Sequence, residues 1–138
     1  MSGWAFLDIL DRLAELSQPD TGVRWITLTG LDGYRSCVAL DDARKPEVLL
    51  ADRLAGEPLG VGQGAPCRLI TPRQYGYKSV KHVVLMEYCN RYDDGSARWA
   101  SHPRGRVDRE ERSAWLPGWT WRRIWPRVVE HRRRNLDA

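Results

Sequence analysis

Residues 58–88, PLGVGQGAPCRLITPRQYGYKSVKHVVLMEY, are the decisive stretch of this sequence. A glycine-rich loop, a short apolar run, a basic turn and a second apolar run follow one another along it. Residues 63–66 cannot continue regular structure, which predicts a rigid turn before the strand that begins at Arg68. A guanidinium fixed at a strand edge can bind a phosphate through two hydrogen bonds. The order of these segments therefore predicts an anion held between two strands.

The basic turn supplies further groups that could bind an anion. Residues 74–81 contain two lysines, a serine hydroxyl and a run of backbone amides, and they lie just before the second apolar run at residues 83–86. Short glycine and lysine motifs also occur in ordinary hairpins whose lysines are solvated. Taken alone, these residues fit either a phosphate-binding edge or a basic hairpin.

Three linked motifs resemble those of the molybdopterin-binding domain of the sulfite oxidase superfamily. They are the run from Leu49-Leu50 to the Gly56-Glu57-Pro58-Leu59 turn, then G-x-P-x-R-L-x-x-P at residues 64–72, then Y-G-x-K-S-x-K at residues 75–81. The resemblance covers residues 3–90, and three motifs in family order are more specific than any one of them. It implies an α+β, strand-rich fold, a molybdopterin cofactor, and an oxidoreductase that transfers oxygen atoms at molybdenum.

The resemblance also implies roles for six residues. Tyr34 matches a tyrosine that the family places beside the molybdenum, so it is the candidate catalytic residue, although the residues alone equally allow a turn tyrosine after Asp-Gly. The candidate cofactor-binding residues match positions that contact the pterin phosphate and its neighbouring groups: Gln63, Arg68, Ser79, Val80 and Lys81. Gln63 stands where the family usually has histidine or asparagine, and its amide can still donate and accept hydrogen bonds.

In the family, the metal-ligating cysteine lies in a segment that precedes the part matched here. The resemblance therefore implies that Cys37, Cys67 and Cys89 are not molybdenum ligands and that the domain is truncated at its N-terminus. The three histidines are too scattered to predict a metal site of their own. Two interpretations stay open. The first is an oxidoreductase-like protein acting on a small oxyanion or sulfoxide, which the absence of the segment with the metal-ligating cysteine would leave inactive. The second is a non-catalytic binding module that retains the fold and whose basic tail contacts a partner or a membrane surface.

Length and composition set the wider limits. A chain of 138 residues with 42% hydrophobic and 29% charged residues predicts one soluble domain and an extension. No apolar run reaches membrane-spanning length and no secretory signal is visible, so a cytoplasmic location is expected. A truncated sheet would expose apolar surface, which predicts a homo-oligomer or a partner chain that covers it.

Composition changes near residue 90, which predicts a domain over residues 1–90 and a helical extension over residues 91–138. Twelve arginines, seven acidic residues and five of the seven tryptophans follow Cys89. Arginine and tryptophan together can pack on the chain's own domain, lie on a membrane surface or bind single-stranded nucleic acid. The first alternative is favoured and nucleic acid is the least favoured. Helices are predicted over residues 107–113 and 120–134.

Hydrophobic periodicity predicts the remaining elements. An amphipathic helix is predicted over residues 4–16, and an alternating, half-buried strand over residues 24–29. A strand over residues 36–40 leads to a helical turn at residues 42–45, with Asp41 as its N-cap. Residues 48–54 are apolar and fit either a helix or a strand.

Overall fold

The computed structural model describes residues 1–124 and residue 126. Strands and helices alternate irregularly along this part of the chain, and the predicted α+β, strand-rich fold is confirmed. In chain order the elements are β1 (Ser2–Ala5), α1 (Phe6–Ser17), β2 (Trp25–Gly30), β3 (Arg35–Ala39), α2 (Leu40–Ala43), β4 (Leu49–Leu54), β5 (Glu57–Pro58), β6 (Arg68–Ile70), β7 (Val83–Cys89) and α3 (residues 118–124).

The strands form two antiparallel sheets. In the first, β4 is central and pairs with β1, β5 and β6, so that Ala51 lies opposite both Gly3 and Arg68. In the second, β2 lies between β3 and β7. The two apolar runs of residues 58–88 therefore enter different sheets, and the decisive stretch joins one sheet to the other.

The core is built from α1 and the inner faces of both sheets. Phe6 and Leu10 of α1 are completely buried, and they pack with residues from the strands and from the segment before β7: Ile26, Leu28, Val38, Leu50, Leu69, Val80 and Val83. Apolar residues at helical spacing predicted this helix, since they place one stripe on the core. Its beginning was predicted too early, because residues 2–5 pair with β4 instead.

Strand β2 is more buried than its predicted alternation allows. Ile26, Thr27 and Leu28 are all buried, so both faces of this strand are covered. The segment that follows β7 provides the second cover: the ring of Tyr92 lies 5.1 Å from that of Trp25. The Thr27 hydroxyl lies 3.3 Å from the Cys89 thiol. Because β2 is the central strand and the segment after β7 folds over it, neither face of β2 is left exposed to solvent.

Two local predictions are wrong. Helix α2 begins at Leu40 after Ala39, so Asp41 is not its N-cap; the Asp41 carboxylate instead accepts a hydrogen bond from the Arg104 guanidinium. Residues 107–113 form turns, not a helix. Glu110 has a left-handed φ of 52°, which interrupts helical geometry, and the Glu111 carboxylate is held by Arg106 at 2.7 Å.

The rest of the tail is only partly covered by the described residues. Helix α3 begins two residues before the predicted start at 120. Beyond residue 124 the described part of the predicted helix is residue 126, which is helical, whereas Trp125, Arg127 and His131 lie outside the described residues. The division into residues 1–90 and 91–138 stays a prediction. Within the described part of the chain, no helix combines the length and apolarity that a bilayer crossing requires.

Candidate functional site

A cavity of about 260 Å³ lies where the decisive stretch passes from one sheet to the other. Its lining residues come from the turn after β2, the start of β6 and the loop before β7: Asp32, Tyr34, Arg68, Gly76, Ser79 and Lys81. Four of the six candidate residues, Tyr34, Arg68, Ser79 and Lys81, are thus brought together. Backbone hydrogen bonds from Leu69 to Val80 (2.9 Å) and from Val83 to Cys67 (3.0 Å) hold the two sides of this crossing.

Arg68 is the most informative residue of the cavity. It opens β6, and its Nη1 donates to the Gln63 carbonyl at 3.1 Å. Its Nε is buried and has no hydrogen-bond partner among the residues that the structure describes. A buried donor left without a partner costs about 1–3 kcal/mol, and more when the group is charged. Arg68 lines the cavity and retains one unused donor, which an anion would reach after a shift of the side chain that uncovers the Nε.

Gln63 contributes to the site indirectly and does not line the cavity. Its Oε1 accepts a hydrogen bond from the Gly60 amide at 2.8 Å, which closes the short turn at Val61–Gln63. Its own carbonyl then receives the Arg68 guanidinium. Gln63 therefore positions Arg68 through its backbone carbonyl, while its side-chain amide stabilises the turn.

Lys81 provides a second cation on the cavity wall. It is exposed, and its Nζ donates to the Gly62 carbonyl at 3.1 Å. Gly64 lets Arg68 and Lys81 converge: its φ is 110°, and a Cβ there would lie 3.1 Å from the Arg68 Cβ and 3.2 Å from the Lys81 Cγ. Against these two cations the cavity has one carboxylate, that of Asp32. The lining charges therefore favour a negatively charged ligand.

Ser79 and Val80 differ in spite of being neighbours. The Ser79 hydroxyl lies at the cavity and accepts a hydrogen bond from the Thr71 amide at 3.3 Å. Val80 is completely buried in the core, where its amide donates to the Lys78 carbonyl and its carbonyl accepts from the Leu69 amide. The structure does not bring Val80 to the cavity. Val80 instead connects the cavity loop to β6 through its hydrogen bond with Leu69.

Tyr34 lies on the opposite wall, in the turn between β2 and β3. Its hydroxyl donates to the Tyr77 carbonyl at 2.8 Å, and its amide donates to Asp32 Oδ1 at 3.1 Å. Burial, and then the nearby Asp32 carboxylate, raise the pKa of the Tyr34 phenol. The phenol therefore carries its proton at neutral pH, and its oxygen can still accept a hydrogen bond from a ligand.

Lys78 does not line the cavity, although its place in the basic turn predicted it among the groups that could bind an anion. Its side chain is buried, with 1% exposed. Its Nζ donates to the Cys37 carbonyl at 2.6 Å and to the Pro103 carbonyl at 2.9 Å, and it lies 5.2 Å from the centre of the Tyr92 ring. No local signal in the sequence distinguishes this buried lysine from the exposed Lys81.

The burial of Lys78 predicts an unusual dependence of stability on pH. Burial lowers the pKa of Lys78 from 10.5 to about 8. Between these values the unfolded chain binds the extra proton, so the free energy of unfolding should rise with pH, by about 3 kcal/mol in total from this group. Urea unfolding from pH 7 to pH 10 measures the rise. Lys78→Met should remove it, whereas Lys45→Met should retain it. Parallel pH profiles for the parent chain and Lys78→Met would contradict this expectation.

The three cysteines are free, and Cys37 is buried. Burial is the main cause that raises the thiol pKa of both Cys37 and Cys67, so these two groups are weak nucleophiles at neutral pH. Among the residues that the structure describes, no three His, Cys, Asp or Glu side chains come together as a metal-binding group.

Comparisons with known proteins identify similar chains. The family described as "Oxidoreductase molybdopterin binding domain" matches residues 2–97. The protein-methionine-sulfoxide reductase catalytic subunit MsrP of Xanthomonas campestris pv. campestris is 44% identical over 55 residues, which cover 40% of this chain and 17% of the relative. MsrP of Campylobacter jejuni is 28% identical over 110 residues, covering 67% of this chain and 36% of the relative.

A solved structure shares the fold. The sulfane dehydrogenase SoxCD from Paracoccus pantotrophus aligns with a TM-score of 0.58 and 24% identity, over 72% of this chain and 26% of the SoxCD chain. This chain therefore spans between about a sixth and about a third of the length of the proteins that it matches.

Proposed function

This chain belongs to the family of oxidoreductase molybdopterin-binding domains, and from that premise we propose that its 260 Å³ cavity binds the phosphate end of molybdopterin. The resemblance to the sulfite oxidase superfamily and the molybdopterin cofactor that it implied are confirmed by the family match. The proposal for this particular cavity is supported above all by one observation, the buried and unpartnered Nε of Arg68.

The residues present fit a phosphorylated group. The Arg68 Nε is unpaired among the described residues, Lys81 adds an exposed positive charge, and the Ser79 hydroxyl can donate to a phosphate oxygen. Hydrogen bonds between charged groups are about twice as strong as neutral ones, and a guanidinium holds a phosphate in a defined orientation. Arg68 and Lys81 would therefore bind and orient the cofactor, while Gln63 and Gly64 keep the arginine in place.

The reaction that we propose is the transfer of an oxygen atom to or from a small oxyanion or a sulfoxide. Molybdenum on the pterin supplies that redox chemistry when the cofactor is bound. The sulfoxide alternative is supported by the relatives, which are named protein-methionine-sulfoxide reductases. The Tyr34 phenol carries its proton beside the cavity and donates it to the Tyr77 carbonyl. It would hydrogen-bond the oxygen of the substrate by turning that donor from the Tyr77 carbonyl to the substrate.

The second candidate function is a binding module without catalysis, whose basic tail contacts a partner chain or a membrane surface. Trp115 is 75% exposed and Trp119 is 54% exposed, and large exposed aromatic side chains often mark contact surfaces. Both candidate functions use the anion cavity, but only the first includes catalytic turnover. An oxygen-transfer assay with a sulfoxide and an electron donor, on the chain supplied with molybdenum cofactor, distinguishes them.

Titration of the full chain with a phosphorylated pterin tests the cavity proposal directly. We expect one saturable site per chain, and competition by inorganic phosphate, because both ligands would use the Arg68 guanidinium. The same pterin without its phosphate is the matched control, and it should bind at least about tenfold more weakly. Equal affinities for the two pterins, or no saturable binding, would show that this cavity is not a phosphate site.

A further inference from the structure

The segment of residues 102–112, which lies beyond the family match, is joined along its length to the loop that forms the cavity wall. The Tyr75 amide donates to the Gly105 carbonyl at 2.9 Å, and the Val107 amide donates to the Arg73 carbonyl at 2.9 Å. Gln74 and Arg106 form an antiparallel bridge between these two bonds. Residues 73–75 and 105–107 are therefore paired like short strands, directly before the cavity residue Gly76.

Tyr77 connects this segment to the cavity. Its hydroxyl donates to the Glu111 carbonyl at 2.9 Å and accepts a hydrogen bond from the His102 amide at 3.1 Å, so that one phenol holds both ends of the segment. Burial is the main cause that raises its pKa, which keeps the donated proton in place at neutral pH. The Tyr77 carbonyl in turn accepts the hydroxyl of Tyr34 on the opposite wall.

Close packing adds to these hydrogen bonds. Lys78 donates to the Pro103 carbonyl at 2.9 Å, which connects the next residue of the loop to the segment. Gly105 has a φ of 60°, and a Cβ at this position would lie 2.9 Å from the Tyr77 hydroxyl and 3.1 Å from the Lys78 Cε. Only glycine lets the segment approach the loop this closely. Arg106 and Glu111 pair at 2.7 Å and close the segment on itself.

We infer that residues 102–112 are a positioning element for the anion cavity and that Tyr77 is the positioning residue through which they act. The segment holds residues 75–79 in the conformation that places Gly76 and Ser79 on the wall and presents the Tyr77 carbonyl to Tyr34. Anion affinity should therefore depend on hydrogen bonds that no ligand touches. This inference rests on the proposed function for the identity of the ligand, but the loop conformation can be tested without one.

Tyr77→Phe is the variant to make, because it removes both hydroxyl hydrogen bonds and keeps the aromatic ring. Tyr75→Phe is the matched control, since the Tyr75 hydroxyl makes no hydrogen bond within the described part of the chain. Amide hydrogen exchange on the full chain, with and without a phosphorylated pterin, reports the loop and the segment separately. In the free chain, Tyr77→Phe should speed exchange at residues 75–79 and 102–107, and Tyr75→Phe should not.

Hydrogen exchange in the presence of the pterin gives a result that a merely structural role of Tyr77 would not produce. In the parent chain and in Tyr75→Phe, the pterin should slow exchange at residues 102–107, which it does not contact, and in Tyr77→Phe this protection should be lost. Pterin affinity should fall about tenfold in Tyr77→Phe alone. Unchanged loop exchange or unchanged affinity in Tyr77→Phe overturns the inference. If the parent chain does not bind the pterin, the proposed function fails, and loop exchange in the free chains still decides whether the segment holds the wall.

Discussion

Arg68→Ala is expected to weaken the binding of a phosphorylated pterin by about tenfold to a hundredfold. The guanidinium has a buried Nε that finds no partner within residues 1–124, and its Nη1 donates to the Gln63 carbonyl at 3.1 Å. The hydrogen bond to Gln63 restricts the guanidinium before a phosphate binds, which lowers the entropic cost of binding. Titration at one fixed salt concentration measures the change.

Two further variants make this experiment specific. Arg68→Lys should be intermediate, because an ammonium supplies a point charge without the planar pair of donors. Arg12→Ala removes an exposed arginine from α1, where it pairs with Glu15, and should leave the affinity unchanged. If Arg68→Ala and the parent chain bind the pterin equally well, Arg68 is not part of a phosphate site and the stretch is an ordinary basic connection.

Phe6→Ala is expected to lower the free energy of unfolding by about 3–5 kcal/mol. Phe6 begins α1 directly after β1, is completely buried, and packs in the cluster that joins both sheets. Its loss would leave a cavity between the helix and the sheets. The hydrogen bond that the Phe6 amide donates to the Val48 carbonyl limits the collapse of the backbone around that cavity. Chemical unfolding followed by circular dichroism measures the difference.

Leu16→Ala is the matched control on the same helix. Leu16 belongs to the apolar stripe that sequence periodicity predicted, but it is 69% exposed. Its truncation should therefore change stability by no more than about 0.5 kcal/mol. Comparable losses in Phe6→Ala and Leu16→Ala would mean that α1 does not pack as described.

Much of the candidate site could be predicted because its residues cluster in one stretch. Arg68, Ser79 and Lys81 lie within fourteen positions of one another and line the same cavity. Because a rigid turn precedes β6, the short chain between these residues is enough to bring them together. Tyr34 comes from the other sheet, and only the family resemblance connected it with them. Val80 was assigned with its neighbours, but motif spacing cannot tell which of three consecutive side chains points inward.

The sequence by itself determined the local elements: an apolar stripe at helical spacing for α1, apolar runs for the strands, and turn residues at 63–66 that precede Arg68. Each of these depends on the backbone preferences of neighbouring residues. The apolar periodicity of α1 also predicted too long a buried stripe, because Leu16 follows the helical spacing and is nevertheless exposed.

Three features depended on the folded chain: which strands pair, the burial of Lys78 beside an exposed Lys81, and the hydrogen bonds between residues 102–112 and the cavity loop. The physical reason is the same in each case. These features depend on hydrogen bonds and burial between residues that are far apart in the chain, such as Lys78 with Cys37 or Tyr77 with Glu111. Whether a lysine loses its water is decided by what folds over it, and no pattern of neighbouring residues contains that information.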